Sequence, residues 1–75
     1  MRSSNIEADN LLIWIGTGIA NRRENAGLTP RQLAHKVRLK TDVIHRLECG
    51  EYDMTLRQLY AVAGAVGATL GDILR

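Results

Sequence analysis

Five polar side chains share one face of a short amphipathic segment in the middle of the chain. At the helical period of about 100° per residue, Ile44 and Leu47 point one way and a polar arc points the other. The members of this arc are Thr41, Asp42, His45, Arg46 and Cys49. Such groups on one face could bind a metal, pair a thiol with an imidazole, or form hydrogen bonds with a partner.

The metal and thiol hypotheses depend on His45 and Cys49, which are four positions apart, with Asp42 three positions before His45. This spacing places the three groups on one exposed surface, without a fourth ligand, supporting hydrogen-bond partners or a pocket. We therefore expect neither a metal site nor a nucleophile here. Oxidation of an exposed Cys49 thiol that blocks binding at this surface remains an alternative.

Basic residues are concentrated around this polar face. Residues 29–49 hold five basic and two acidic side chains, whereas charges nearly balance in the segments before and after. The five basic residues are Arg31, Lys36, Arg38, Lys40 and Arg46. A solvated basic face is the simpler interpretation, but one block of positive charge is also what binding to phosphate groups requires.

The overall composition limits the class of protein. A chain of 75 residues with 45% hydrophobic content is enough for one compact core in a single domain. A single cysteine and the lack of a leader-like segment predict a cytoplasmic protein. The longest apolar run, residues 11–15, is far shorter than the ~20 residues that cross a bilayer, so we expect no membrane span. Without a nucleophile, base and orienting group or a glycine-rich phosphate loop, we expect neither an enzyme nor a bound cofactor.

A first helix is predicted from about Glu7 to Ala26, after a flexible end formed by residues 1–6. Gly27 follows the last helical residue and can adopt the left-handed conformation that closes a helix. The apolar residues that share one arc of this helix, and are therefore predicted to face the core, are Leu11, Leu12, Ile15, Ile19 and Ala26.

Thr29-Pro30 begins a second, short helix, because the threonine hydroxyl can cap free N–H groups and proline suits the first turn. Residues 38–40 form the turn to a third helix, from about Thr41 to Cys49, which Gly50 ends. The residues of the second helix predicted to face the core are Leu33, Ala34 and Val37.

After a loop of residues 51–54, Thr55 and Thr69 are predicted to cap two further helices, and Gly67 ends the first of them. The sequence therefore predicts an all-α domain of five helices over residues 7–75. The core residues predicted in the last two helices are Leu56, Leu59, Tyr60, Ala63, Val66, Leu70, Ile73 and Leu74.

A capped short helix, a turn and a second short helix with a polar outward face make a helix-turn-helix, whose second helix fits the major groove of DNA. The motifs along the chain are Ala26-Gly27-Leu28-Thr29, Gln32-Leu33-Ala34-His35-Lys36-Val37, Ile44-His45-Arg46-Leu47-Glu48-Cys49-Gly50, Leu56-Arg57-Gln58-Leu59 and Gly67-Ala68-Thr69-Leu70-Gly71-Asp72-Ile73-Leu74. With these motifs, residues 15–74 resemble the Cro and phage-repressor type (Xre-type) of helix-turn-helix domain. The resemblance implies a compact five-helix, lambda-repressor-like fold.

The resemblance implies a homodimeric regulator, expected to be a repressor, that binds double-stranded DNA in a sequence-specific way. The resemblance places the base-reading side chains at Thr41, Asp42, His45 and Arg46, which helical phase independently puts on the outward face of the third helix. Arg46 would donate to guanine O6 and N7, and Asp42 would accept from the cytosine amino group. The expected phosphate contacts are Arg31, Arg38 and Lys40.

The resemblance also implies a partly buried ion pair between Arg23 and Glu48, which would join the first helix to the third. Apolar residues outside the predicted core arcs suggest a dimer surface, because a two-fold protein reads two half-sites about one helical turn apart. Chance exposure is the simpler alternative. The candidates are Ala61 and Ala65 on the fourth helix, which we favour, and Ile13 and Trp14 on the first.

The chain departs from the family pattern at three places. Pro30 stands where a glutamine usually reaches a phosphate, and Arg38 replaces a glycine common in the turn. Arg38 must then take a left-handed conformation, or the turn is rebuilt. Glu51 and Asp53 add negative charge to a loop that often approaches the DNA backbone. These departures leave open an alternative, a protein-interaction module on the same fold with weak or no DNA binding.

Overall fold

The computed structural model describes the backbone of residues 2–75 and the side chains of residues 7–75. Within that part of the chain there are five α-helices and no strand, so the predicted all-α class is confirmed. No helix in the described residues is both long and apolar enough to cross a membrane. The helices are α1 Arg2–Asn25, α2 Pro30–Val37, α3 Thr41–Glu48, α4 Leu56–Ala65 and α5 Leu70–Leu74.

The first helix begins earlier than predicted, at Arg2 and not at Glu7. It ends at Asn25, and Gly27 closes it with a left-handed φ of 74°. Nothing in the described residues tests whether residues 1–6 are flexible, so that expectation stays a prediction.

Three helices begin with a reciprocal pair of hydrogen bonds, at the threonines that the sequence predicts as caps. The Thr29 hydroxyl accepts from the backbone N–H of Gln32 at 3.1 Å, and the Thr29 N–H donates to Gln32 Oε1 at 2.8 Å. Each such cap satisfies N–H groups that would lack partners, which stabilises the helix by about 1 kcal/mol. The same arrangement starts α4 and α5, in the pairs Thr55 with Gln58 and Thr69 with Asp72.

One hydrophobic core holds the helices together, with α2 and α3 packed on each other and against α1 and α4. Full burial of a large aliphatic side chain stabilises a fold by roughly 1.5–3 kcal/mol. The largest fully buried side chains are Ile19, Leu33, Ile44, Leu47 and Val62. Ile73 brings α5 into the same core.

The predicted core arc of the first helix is wrong at its two ends. Ile15 and Ile19 are buried, but Leu11 is 51% exposed and Ala26 is also exposed. Leu11 lies on the part of α1 before the buried stretch, and Ala26 lies beyond the last residue of the helix. Periodicity identifies the apolar face of a helix, but packing decides how much of its length is covered.

The predicted core faces of α4 and α5 also need correction. Leu56 and Tyr60 are 71% and 70% exposed, whereas Val62 is fully buried. The inward arc of α4 is centred on Val62 and its neighbours three positions away, which turns Leu56 and Tyr60 outward. Leu74, at the last turn of α5, is 49% exposed, whereas Ile73 of the same turn is buried.

Candidate nucleic-acid interface

The turn between α2 and α3 contains a residue in an uncommon backbone conformation. Arg38 has φ 60° and ψ 41°, which is the left-handed region. The chain therefore keeps the turn and places a non-glycine residue in it, at a cost of about 1–2 kcal/mol. The N–H groups of Arg38 and Leu39 donate to carbonyls near the end of α2, which closes that helix.

Burial on one side fixes α3 in the fold. Ile44 and Leu47 are fully buried. The helix ends at Glu48, with Cys49 as its C-cap, so it is one residue shorter than predicted. The polar residues predicted on its outer face do lie on the opposite side: Thr41 is half-buried, and Asp42, His45, Arg46 and Cys49 are exposed. Three of the four proposed base-reading residues, Asp42, His45 and Arg46, are thus exposed together, and Thr41 is partly covered.

Arg46 has a partner that the sequence did not indicate. Its guanidinium carbon lies 5.8 Å from the centroid of the Tyr52 ring, within the range of a cation–π contact. The Tyr52 hydroxyl accepts a hydrogen bond from Gln58 Nε2 at 3.3 Å. Tyr52 belongs to the loop after α3, where no periodicity tells which way a side chain points. Only its residue type, the one aromatic side chain in this loop, could have marked it.

The three predicted phosphate contacts lie on elements next to α3. Arg31 is in the first turn of α2, and Arg38 and Lys40 belong to the turn between α2 and α3. All three side chains are exposed. Among the residues that the structure describes, no carboxylate lies within ion-pair distance of them. Their charges are therefore available to a partner.

A buried ion pair joins α1 to the end of α3. Arg23 Nε donates to Glu48 Oε2 at 2.6 Å and Arg23 Nη2 donates to Glu48 Oε1 at 3.2 Å. Arg23 Nη1 donates to the backbone carbonyl of Leu28 at 2.8 Å. The two side chains are only 10% and 11% exposed. The side-chain hydrogen bond to Glu48 raises the pKa of the Arg23 guanidinium.

The metal and thiol hypotheses for α3 concern Asp42, His45 and Cys49. Within the described part of the chain, no group of three or more histidine, cysteine or carboxylate side chains is arranged to hold a metal ion. Cys49 is a free and exposed thiol.

Pro30, Glu51 and Asp53 are residues at which the sequence departs from the Xre-type pattern that it resembles. Pro30 is the first residue of α2, where its missing N–H leaves the Thr29 cap intact. Glu51 and Asp53 are exposed after α3, and together with Asp9 they line a surface depression beside α1. The acidic side chains thus gather on the α1 side of this loop.

The proposed dimer residues differ in exposure. Ile13 and Trp14 are 51% and 58% exposed, and Ala61 is exposed as well. Ala65 is half-buried and packs against the core, so the prediction that it points away from the core is wrong. The cause is the rotation of the inward arc of α4, which brings Ala65 inward and turns Tyr60 out beside Ala61.

The arrangement of α2, the turn and α3 on a bundle of five helices defines a helix-turn-helix domain. Two crystal structures of the clp gene regulator ClgR from Corynebacterium glutamicum are similar to this chain, each with a TM-score of 0.83 and 30% sequence identity. The similarity covers 85% of this chain, and 82% of one ClgR chain and 68% of the other. The chain belongs to the same family as ClgR. No protein-family model matches it, and no curated protein sequence does either.

Proposed function

We propose that the chain is a sequence-specific, DNA-binding transcriptional regulator that inserts α3 into the major groove. The observation that carries this proposal is the two-sided character of α3. Ile44 and Leu47 fix the helix in the core, while Asp42 and Arg46 are exposed on the opposite face. A helix held in this way can present donors and acceptors to base edges. ClgR, described as a regulator of clp genes, supports a function of this class.

The exposed residues of α3 suit different base edges. Arg46 can donate in a bidentate way to guanine O6 and N7, and Asp42 can accept from the cytosine amino group. Thr41 and His45 lie on the same face and can donate or accept. Each good contact is worth about 1–3 kcal/mol of discrimination between bases.

Arg31, Arg38 and Lys40 are proposed to bind phosphates and set the register of the protein on DNA. They are exposed, carry no ion pair within the described residues, and belong to the elements next to α3. Contacts of this kind contribute affinity for every sequence and make that affinity fall as salt rises.

We further propose that the regulator is a homodimer and a repressor. One short helix contacts only a few base pairs, and two coupled half-sites are needed to select one operator among many competing sites. Occupancy of an operator is enough for repression, so the DNA binding proposed for α3 would suffice for this role. The free thiol of Cys49 is compatible with the reducing cytoplasm, which is the location we propose.

Selection from a random pool of DNA duplexes, at low and at moderate salt, tests the proposal. We expect an enriched sequence with two related half-sites and an affinity that decreases with salt. Arg75→Ala, which removes an exposed charge at the far end of α5, serves as the control and should leave the selection unchanged.

Absence of enrichment at both salt concentrations would favour the alternative, a protein-interaction module. Two observations support that alternative: Pro30 offers no N–H at the start of α2, and the acidic Glu51 and Asp53 follow α3.

A further inference from the structure

The side chain of Arg46 lies beside an aromatic ring of the loop that follows α3. A free arginine on a helix surface samples many rotamers, and binding has to select one of them. Here the guanidinium carbon lies 5.8 Å from the centroid of the Tyr52 ring. The ring attracts the cation, so it favours one placement of the guanidinium beside α3.

The Tyr52 ring is itself held in place. It is half-buried and packs against the hydrophobic core. Its hydroxyl accepts from Gln58 Nε2 at 3.3 Å, and Gln58 Oε1 accepts from the backbone N–H of Thr55 at 2.9 Å. The cap of α4 therefore fixes which end of the Gln58 amide faces Tyr52. A continuous set of contacts runs from the start of α4 to Arg46.

Contact with a ring leaves the hydrogen-bonding capacity of an arginine free. The five N–H donors of a guanidinium lie in its plane, whereas attraction to a ring uses the cation and its face. Among the described residues, no acceptor takes a hydrogen bond from the Arg46 side chain. Its donors thus remain available for the O6 and N7 atoms of a guanine.

We propose that Tyr52 is a positioning residue for base readout, which orients the Arg46 guanidinium before DNA is bound. This inference rests on the proposed function, in which Arg46 reads a base. A cation–π contact at an exposed site corresponds to about a two- to fivefold change in affinity. We expect this effect at the one base pair that Arg46 reads and at no other.

Nuclear magnetic resonance of the free protein tests the contact without DNA. The ring current of Tyr52 should shift the Arg46 side-chain methylene protons upfield in the parent. The shift should persist in Tyr52→Phe, which keeps the ring and loses only the hydroxyl, and disappear in Tyr52→Leu. If Tyr52→Leu leaves these resonances in place, Tyr52 does not orient Arg46 and the proposal is overturned.

Binding to the selected site and to its single-base variants tests the consequence. Tyr52→Leu should reduce discrimination about two- to fivefold at the Arg46 base pair, and should have no further effect on it in the Arg46→Ala background. Tyr52→Phe should restore most of the discrimination. A merely structural role would instead weaken all sites alike and in both backgrounds, which would overturn the proposal.

The outcome for the parent separates this inference from the proposed function. A parent without any site preference contradicts the proposed function, and the inference fails with it. A selective parent in which Arg46→Ala changes no base preference removes Arg46 from the base-reading residues and overturns the inference with that assignment. A selective parent in which Tyr52→Leu acts equally with and without Arg46 contradicts the inference alone.

Discussion

The backbone of Gly16 in α1 lies directly against the carbonyl oxygen of Leu47 in α3. A Cβ atom on Gly16 would overlap that oxygen and would lie 2.8 Å from the carbonyl oxygen of Glu48. Only a residue without a side chain allows the two helices to approach so closely. The position of the proposed recognition helix therefore depends on a glycine two helices away in the chain.

Gly16→Ala should destabilise the domain by about 1–3 kcal/mol, because the methyl group forces α1 and α3 apart. Helix propensity alone would make Gly16→Ala stabilising, because it favours alanine over glycine by roughly 1 kcal/mol. The expected change in the free energy of unfolding therefore has the opposite sign. Urea denaturation followed by circular dichroism measures the free energy of unfolding.

Gly18 of the same helix is the matched control. A Cβ atom there would have no neighbour within 4 Å, so Gly18→Ala should stabilise the domain by about 0.5–1 kcal/mol. Changes of the same sign at Gly16 and Gly18 would contradict the close approach of α1 and α3.

Glu48→Ala should destabilise the domain by about 3 kcal/mol, because it leaves the buried Arg23 guanidinium without its carboxylate partner. Arg23→Ala should have a similar effect. The double variant should lose less than the two single losses together, since removal of both charges leaves no unpaired charge in the core. Denaturant titration of the three variants measures this coupling, and strictly additive losses would show that the pair does not act as a unit.

Local signals explain which parts of the fold could be predicted from the sequence. Thr29, Thr55 and Thr69 cap helices as expected, because a capping hydroxyl acts on N–H groups only a few residues away. The inward faces of α2 and α3 were also predicted, since each has one apolar arc. On α4 several apolar residues surround the helix, so periodicity alone did not show that Val62 faces the core and Tyr60 faces solvent.

In the candidate site, too, features of a single helix could be predicted from the sequence, whereas contacts between segments could not. The outward face of α3 was predicted from helical phase, because it depends on one helix alone. The contact of Tyr52 with Arg46, and that of Gly16 with Leu47, depend on how separate segments come together. No pattern within either segment contains that information, so these two features could be found only in the structure.

Arg46→Ala should relax the base preference of the protein, because we propose that the Arg46 side chain contacts a base. The fold should stay intact, because this side chain is exposed. Lys40→Ala should instead weaken binding to all sequences alike. It should also reduce the slope of log affinity against log salt concentration by about 1, as expected for the loss of one phosphate contact. Competition binding with single-base variants of the selected site distinguishes the two. An Arg46→Ala variant as selective as the parent would remove Arg46 from the base-reading residues.

Arg38→Gly should raise the free energy of unfolding by about 0.5–1 kcal/mol, because glycine adopts the left-handed φ of 60° without strain. The same change should weaken DNA binding and lower its salt dependence, since it removes a proposed phosphate contact. Arg38→Lys is the control, as it keeps both the charge and the strained backbone, and should match the parent in both properties. An Arg38→Gly variant that binds DNA like the parent would place Arg38 outside the interface.

The last prediction concerns the dimer surface. Ala61 is exposed on α4 beside the exposed Tyr60, whereas Ala65 packs inward, so Ala61 is the position at which to test this helix. A two-fold interface contains each substituted residue twice, and two glutamates near the axis repel each other and lose solvent.

Ala61→Glu should therefore raise the dimer dissociation constant at least about tenfold, weaken operator binding, and leave the monomer folded because the side chain is exposed. Trp14→Glu, on the alternative surface of α1, should leave the dimer unchanged if α4 forms the interface, and should disrupt it if α1 does. Sedimentation equilibrium of both variants, with and without the selected operator, separates the two surfaces. A parent that remains monomeric on its operator would overturn the dimer proposal for both.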